Sequence, residues 1–362
     1  MFILGLAPMD GITDSAFREI TKNIRNKYWD KTQYRFFLRT EFMNADGYCK
    51  NPQGVIKHLL TTASQSPIIA QVFWWNEKTL IQCFKDLEKK YSDYFYWLEL
   101  NLWCPARNVM QTGWWSAMLK DKKRTLEIIK KIRKAIKMPF SIKTRTGINQ
   151  EDKSQQMKFL IQVSKYVDMI SIHGRTVKAW YWWEADRDFI YELKAKLKNS
   201  NCKIIWNWWI KFYTKLSSFY KGGGWKPEDF LDGIMIGKAT IGNPRIFTPH
   251  IPNKKELRET IIQHLNLMIN HEIQFQKNIT NLAYRQAGLK KVWNIWKISI
   301  LLSSSWINQT FQRSNVLRPV IEFRKHLFQY VKWIPWSKQR KQKIAKIENY
   351  DQLIKEINKF LK

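Results

Sequence analysis

The chain has 362 residues, which is long enough for one large domain or two moderate ones with a substantial core. Lysine and arginine number 62 against 30 acidic residues, so the net charge is +32 and favours a polyanionic partner such as nucleic acid. A lysine-rich solvated surface is the plainer interpretation of the same charge. No apolar run approaches the ~20 residues of a membrane span, and Met1–Leu6 lacks the basic region of a signal peptide.

Cysteine usage gives a further limit. The four cysteines are widely spaced, with no Cys-x-x-Cys motif and no paired histidines, so we expect no metal site. In a chain of this size they indicate reduced thiols in a cytoplasmic protein, and the lack of a long apolar run predicts no membrane partner. An unusual composition accompanies them: tryptophan (19 residues) outnumbers glycine (14 residues), although glycine is normally about 7% of a protein.

Short apolar runs alternate with amphipathic helical patterns such as Thr79–Tyr91 and Asp121–Ile136. The predicted strands are Phe2–Ala7, Tyr34–Phe42, Pro67–Phe73, Phe95–Leu102, Pro139–Arg145, Asp168–His173, Cys202–Asn207 and Asp232–Gly237. Eight strands alternating with helices predict an α/β fold with a parallel sheet, and their number favours a closed (β/α)8 TIM barrel. A doubly wound open sheet is the structural alternative.

The character of the chain changes after Pro249 and Pro252. From Lys254 onward the sequence is basic and helical, and Pro319 can begin a helix. We therefore predict a barrel domain over residues 1–248 and a smaller all-α helical domain over residues 254–362.

Polar groups follow nearly every predicted strand, at the edge where such barrels hold their active sites. The candidates are Pro8, Met9 and Asp10 after the first strand, then Gln71, Asn101, Lys143, His173, Asn207, Gly237 and Lys238. Gly237 and Lys238 follow the eighth strand, where barrels commonly hold a phosphate. Taken singly, Lys143 is more simply interpreted as a solvated lysine, and His173 as a buried histidine whose hydrogen bonds are satisfied. Their shared level in the barrel favours a binding role.

Cys104 is the reactive candidate among the cysteines. It follows the fourth strand and precedes Pro105, which stops the strand and leaves the thiol at the barrel mouth. A neutral thiol is a competent proton donor, whereas a small buried hydrophobic residue is the commoner role of a free cysteine.

Four ordered motifs resemble those of the tRNA-dihydrouridine synthases. They are Leu6–Asp14, Asn101–Ala106, His173–Thr176 and Asp232–Gly237. A weaker similarity at Phe323–His326 and Tyr330 resembles the helical RNA-binding domain of that family. The resemblance runs in order to about Phe247 and then continues into the C-terminal region.

The resemblance implies a flavoprotein oxidoreductase that binds FMN, uses NADPH as reductant and reduces the C5–C6 bond of a D-loop uridine in tRNA. It implies Cys104 as the general acid and Asn101, Arg175, Arg324, Lys325 and His326 as substrate-binding residues. The implied FMN-binding residues are Pro8, Met9, Asp10, Gln71, Lys143, His173, Asn207, Trp208, Trp209, Gly237 and Lys238. The partner is then tRNA, and we expect a monomer.

Tryptophan stands where that family carries glycine. Trp103 precedes the candidate acid, and Trp208 and Trp209 stand in the expected phosphate loop. Glycine suits such turns because it reaches positive φ cheaply and lets a ligand approach the backbone. We interpret the pattern as a decoding effect, in which the source reads UGA as glycine and the printed sequence reads it as tryptophan. Replacing all 19 would raise glycine to 33 of 362 residues, slightly above the usual share, so a few tryptophans are expected to be genuine.

Two other functions stay open. A catalytically inactive tRNA-binding relative is expected if the tryptophans are genuine. A flavoenzyme acting on a free pyrimidine is the third alternative, against which the basic C-terminal region argues.

Overall fold

The structure is a computed structural model that describes residues 2–29, 34–103, 117–179, 185–208, 231–286, 317–332, 334 and 338–361. Within this part of the chain, eight parallel strands close into a barrel in sequence order, with β8 pairing back to β1. The strands are β1 Phe2–Leu6, β2 Tyr34–Asn44, β3 Ile68–Phe73, β4 Trp97–Asn101, β5 Phe140–Arg145, β6 Met169–His173, β7 Lys203–Trp208 and β8 Gly233–Ile236. The predicted closed barrel is confirmed.

Helices follow the strands on the outside of the barrel. They are α1 Ser15–Tyr28, α2 Ala45–Lys50, α3 Pro52–Val55, α4 Glu77–Tyr91, α5 Ala117–Lys120, α6 Lys122–Ala135, α7 Lys153–Val163 and α8 Arg187–Lys196. Short polar residues cap several of them: Asp14 accepts from the Phe17 N–H, and Asp121 accepts from the Arg124 N–H. The apolar faces pack on the strands; Ile128, Ile129 and Ile132 of α6, for example, are fully buried.

The barrel interior is layered because alternate residues of each strand point inward. An apolar layer near the end at which the strands begin includes Ile3, Phe37, Ile69, Trp97, Met169 and Ile205, and the same cluster continues through Met235 to Ala7 beside the mouth. A polar layer lies above it and includes the buried residues Arg39, Glu99, Ser141 and Ser171. The apolar layer closes the bottom, so only the carboxyl ends of the strands offer an open polar surface.

The C-terminal part of the described chain is helical. Its helices are α9 Lys254–Gln286, α10 Leu317–Tyr330, α11 Lys338–Ala345 and α12 Tyr350–Phe360. They bury a second apolar core that includes Ile261, Leu265 and Phe323 and also takes in Ala16 of α1. The helical region thus packs directly on the first barrel helix. Residues 248–253 separate α9 from the 3-10 helix Pro244–Phe247, and the domain limits 1–248 and 254–362 stay a prediction.

None of the helices in the described ranges has the length and apolar character needed to cross a membrane.

Candidate active site

The carboxyl ends of neighbouring strands bring the predicted binding residues to one rim. Asn101 and Lys143 are register partners across β4 and β5, and His173 and Asn207 are register partners across β6 and β7. Four consecutive strands therefore present two amides, an ammonium group and an imidazole near their carboxyl ends, where the charge of Lys143 acts on His173. Such a rim suits a flat, polar ligand.

Gly237 lies where β1, β7 and β8 meet. A Cβ atom added to it would lie 3.4 Å from Ala7 Cβ, 3.7 Å from Met9 Sδ and 3.9 Å from Asn207 Nδ2. The glycine therefore keeps a small space between these side chains open. Lys238 follows as the exposed first residue of the 3-10 helix Lys238–Thr240, and the half-buried Pro8 adjoins Met9.

A chain of hydrogen bonds fixes the amide side chains of Gln71 in β3 and of Asn101 at the end of β4. Gln71 Nε2 donates to Glu99 Oε1 at 2.6 Å, and Asn101 Nδ2 donates to Gln71 Oε1 at 3.1 Å. The Trp103 backbone N–H then donates to Asn101 Oδ1 at 3.0 Å. Gln71 and Asn101 are both buried, so water does not compete strongly for these bonds.

Glu99 is neutralised by Arg39 inside the barrel. Arg39 Nε lies 3.1 Å from Glu99 Oε1, and neither side chain is exposed. The sequence interpretation did not assign a role to either residue. The available signal was Glu99, a charged residue between Leu98 and Leu100 of β4, which is rare in a buried strand unless the charge is paired.

His173 stands among three cations. The pKa of His173 is held well below its usual value. Desolvation of the ring is the largest cause, and the charges of Arg145, Lys143 and Arg175 act in the same direction. The ring is therefore neutral at pH 7. Arg175 Nη1 lies 3.2 Å from His173 Nε2, and because arginine only donates, Nε2 is the acceptor and Nδ1 carries the proton. The neutral ring thus keeps one N–H in an electropositive setting that favours an electron-rich ligand.

Trp103 lies over this cationic group. The Arg145 guanidinium is 3.6 Å from the centroid of the Trp103 ring, while Arg145 Nη1 donates to the Thr176 carbonyl at 2.7 Å. The indole N–H of Trp103 is buried without a hydrogen-bond partner, as are those of Trp74 and Trp97. A buried unsatisfied N–H costs about 1–3 kcal/mol, so these indoles fit their surroundings poorly.

Asp10 in the loop after β1 lies close to Glu41 of β2 and to His58. Donor atoms of Asp10, Glu41 and His58 lie within 4.8 Å of one another. Glu41 Oε1 accepts from the Gly11 N–H at 2.6 Å. Desolvation and the charge of Glu41 raise the pKa of Asp10, although His58 and Lys325 act in the opposite direction. The Lys325 Nζ atom lies 3.8 Å from the Cβ position of Gly11, so α10 reaches the barrel mouth here.

The three predicted RNA-binding residues of α10 have different surroundings. Only Lys325 faces the mouth; the Arg324 guanidinium donates to the Ala345 carbonyl within the helical region. His326 is fully buried and stacks on Phe17 of α1 at a ring-centroid distance of 5.6 Å. Its ring is enclosed between α1 and the helical region, and the predicted role of His326 in substrate binding stays a prediction.

Buried histidines and carboxylates hold that interface together. His326 Nε2 lies 3.7 Å from Asp14 Oδ2, and the rings of His326 and His264 are 4.6 Å apart. Burial opposes ionisation of Asp14, but His326, His264 and the Phe17 N–H hold its pKa well below the usual range. His264 Nδ1 also lies 3.2 Å from the Tyr330 hydroxyl, which donates to it when the ring is neutral. This network fixes α10 against α1 and so fixes where Lys325 lies.

Some expected residues cannot be located. Cys104 and Trp209 lie outside the described residues, and so does the side chain of Trp208. The Trp208 backbone pairs with Ile236 in the sheet. The positions of the predicted acid and of the predicted phosphate loop therefore stay predictions.

The family model and the sequence relatives agree with one another. The dihydrouridine synthase (Dus) family model matches residues 5–362. A "Probable tRNA-dihydrouridine synthase" of Staphylococcus epidermidis is 28% identical over 318 residues, which are 86% of this chain and 89% of the relative. Relatives with the same description are 28% identical in Rickettsia typhi (74% and 76% covered) and 25% identical in Aquifex aeolicus (97% and 94% covered).

Proposed function

The chain belongs to the dihydrouridine synthase family, and from this premise we propose that it reduces the C5–C6 double bond of a D-loop uridine in tRNA. Reduced FMN is the proposed hydride donor and NADPH the proposed reductant. The observation that carries the proposal is the meeting of Asn101, Lys143 and His173 on one rim, since amide, ammonium and neutral imidazole groups suit the edges of a flavin and a pyrimidine.

The residues of the mouth fit a flavin. The cations around His173 suit the pyrimidine side of the isoalloxazine ring, which gains negative charge on reduction. The space beside Gly237 lets a ligand approach the backbone where barrels commonly hold a phosphate. The proposed FMN-binding residues are Pro8, Met9, Asp10, Gln71, Lys143, His173, Asn207, Trp208, Trp209, Gly237 and Lys238.

The proposed mechanism gives Cys104 the proton transfer. Asn101 Oδ1 accepts from the Trp103 N–H and so anchors the residue immediately before Cys104. In the proposal, Asn101 and Arg175 orient the uracil, and the Cys104 thiol gives its proton to C5. When bound, reduced FMN supplies the hydride for C6. One hydride and one proton balance the reduction of the double bond.

The RNA side of the proposal rests on charge and on α10. A net charge of +32 suits a phosphate backbone, and Lys325 extends from the helical region to the mouth. The target uridine must leave its stack to enter the barrel, as for other enzymes that act on a base. Arg324 and Lys325 are the proposed phosphate contacts, and binding is then strongly salt-dependent. A cytoplasmic location and a monomeric state stay predictions.

Flavin content and nucleoside analysis test this function. The purified protein should absorb as a flavoprotein and should form dihydrouridine in tRNA from a strain that lacks the gene. Cys104→Ala should abolish dihydrouridine formation while FMN binding survives. The matched control is Cys49→Ala, because Cys49 is an exposed thiol on α2. Full activity of Cys104→Ala would remove this residue from the mechanism.

The position of the Trp103 ring supports a second candidate. If Trp103 is genuine, its ring occupies the mouth over Arg145, and a tRNA-binding protein without catalysis is the alternative. A colourless protein that still binds tRNA would favour this candidate. Coding DNA separates the two causes: UGA codons at positions 103, 208 and 209 support glycine, whereas UGG codons make the tryptophans genuine.

A further inference from the structure

The buried ion pair of Arg39 and Glu99 lies inside the barrel, directly below the mouth. Arg39 Nε is 3.1 Å from Glu99 Oε1, and Arg39 Nη2 donates to Ser171 Oγ at 3.0 Å. Gly5 makes room for the guanidinium, since a Cβ there would lie 2.9 Å from Arg39 Nη1. Four strands, β1, β2, β4 and β6, thus contribute to the surroundings of one interior charge pair whose side chains are not exposed.

Such a pair is an unusual way to stabilise a barrel. Removing two charges from water is expensive, and well-packed apolar residues in place of a buried ion pair are often neutral or stabilising. The Arg39 Nη1 atom is also buried without a hydrogen-bond partner, which adds to the cost. The pair is therefore better explained by the side chains that it positions than by its contribution to stability.

It holds the two amides of the rim. Glu99 accepts the Gln71 Nε2 hydrogen bond at 2.6 Å, and Gln71 Oε1 in turn accepts from Asn101 Nδ2 at 3.1 Å. Asn101 Oδ1 accepts from the Trp103 N–H at 3.0 Å. Each amide oxygen is used inside this relay, and each amide nitrogen uses one of its two N–H groups there.

The carboxylate sets the direction of the relay at its Gln71 end. An ionised carboxylate only accepts hydrogen bonds, so Gln71 must turn its nitrogen toward Glu99 and its oxygen toward Asn101. Asn101 must then turn its nitrogen toward Gln71. At the other end of the relay the Trp103 backbone N–H only donates, so it requires the oxygen of Asn101 and favours the same direction. Without the charge on Glu99, Gln71 loses the acceptor that holds its nitrogen end, and the relay is held from the Trp103 end alone.

We propose that Glu99, balanced by Arg39, is a positioning residue that fixes Gln71 and Asn101 so that their second N–H groups serve ligand acceptors at the mouth. The ligands that this orientation takes are carbonyl oxygens and ring nitrogens of a heterocycle, and an amino group at the same place is disfavoured. Naming that heterocycle as flavin or uracil rests on the proposed function.

The test uses a charge-neutral double variant. Glu99→Gln alone removes the directing charge but leaves Arg39 unpaired, so the variant also loses stability. Arg39→Met combined with Glu99→Gln removes both charges and is expected to regain most of the thermal stability. FMN affinity, measured by flavin-fluorescence titration, should be about tenfold weaker than in the wild type in both variants, because one aligned hydrogen bond is lost.

A control isolates the effect of lost stability. Gln65 is a fully buried amide outside the barrel that accepts from Arg18 Nε at 3.0 Å. Gln65→Leu should lower stability and leave FMN affinity unchanged. If the double variant regains both wild-type stability and wild-type FMN affinity, the ion pair is structural and the proposal is wrong.

A second measurement keeps the inference separate from the proposed function. In the full chain without ligand, the side-chain NH2 resonances of Gln71 and Asn101, assigned by substitution of each residue, should shift in Glu99→Gln and in the double variant. They should not shift in Gln65→Leu. Unchanged resonances would overturn the proposal. Failure of the wild-type protein to bind FMN would instead refute the proposed cofactor and leave the resonance test to decide the orientation.

Discussion

Gly242 is the point at which the barrel and α10 come into backbone contact. Its φ is +70°, and a Cβ atom added to it would lie 2.3 Å from Gln329 C, 2.4 Å from Gln329 O and 2.6 Å from Tyr330 N. Carbon atoms pack at about 3.5–4.0 Å, so alanine forces the two backbones apart by about 1 Å. Neither partner is a side chain that can turn away.

The cost of Gly242→Ala has two parts. The left-handed conformation costs a residue with a Cβ about 1–2 kcal/mol, and forcing a well-packed contact apart costs about 1–3 kcal/mol more. We therefore expect a loss of about 2–5 kcal/mol in the free energy of unfolding. Urea unfolding followed by far-UV circular dichroism measures it.

Two glycines supply matched controls. Gly11 has a φ of +67°, but the nearest atom to its added Cβ is Lys325 Nζ at 3.8 Å, so Gly11→Ala measures the conformational cost alone. Gly54 lies in α3, and its added Cβ meets Asn51 Nδ2 at 3.4 Å, so Gly54→Ala should be neutral or stabilise by up to about 1 kcal/mol. If Gly242→Ala costs no more than Gly11→Ala, the backbone contact does not exist and the reasoning fails.

Three further changes test the interface and the core. A hydrogen bond from His271, opposed by desolvation, lowers the pKa of Glu19 to about 2, so its stabilising effect is present above pH 4.5 and is lost as pH falls toward 2. Glu19→Gln should therefore lower the urea midpoint at pH 7 but change it little at pH 2. The pKa of His264 is held well below 6.5, mainly by desolvation and also by the charges of His326, Lys325 and His271. Asp14 acts in the opposite direction. Stability should fall as pH drops below 6.5, and His264→Asn, which keeps an acceptor for the Tyr330 hydroxyl, should flatten this fall in thermal melts between pH 7 and 5. Trp97→Phe removes a buried N–H without a partner and should raise the free energy of unfolding by up to about 1 kcal/mol; a large loss would show that the indole is satisfied.

The strands could be predicted because each is a short apolar run between helical patterns. Differences are confined to their ends. β2 continues past its predicted end at Phe42 and ends at Asn44. Earlier in the strand, between Arg39 and Phe42, its pairing with β3 shifts register. Such an irregularity has no clear signal in a single sequence, because its two partners are distant along the chain.

The rim was predictable from strand ends, whereas the support beneath it was not. Arg39 and Glu99 are 60 positions apart, and their pairing depends on the barrel register. His326 shows a signal that was present and was overlooked. It follows Phe323 by three positions, and Leu327 and Tyr330 lie on the same buried side of α10, so the helical period already indicates burial.

The close approach of Gly5 to Arg39 also limits how the family can diverge. A Cβ at Gly5 would lie 2.9 Å from Arg39 Nη1 and 3.4 Å from Met235 Cβ, and the guanidinium is held by Glu99 and Ser171. A larger residue at Gly5 is therefore compatible only with a shorter one at Arg39, which in turn leaves Glu99 without its counter-charge. These three positions should vary together among relatives, and a relative that keeps the arginine should keep the glycine.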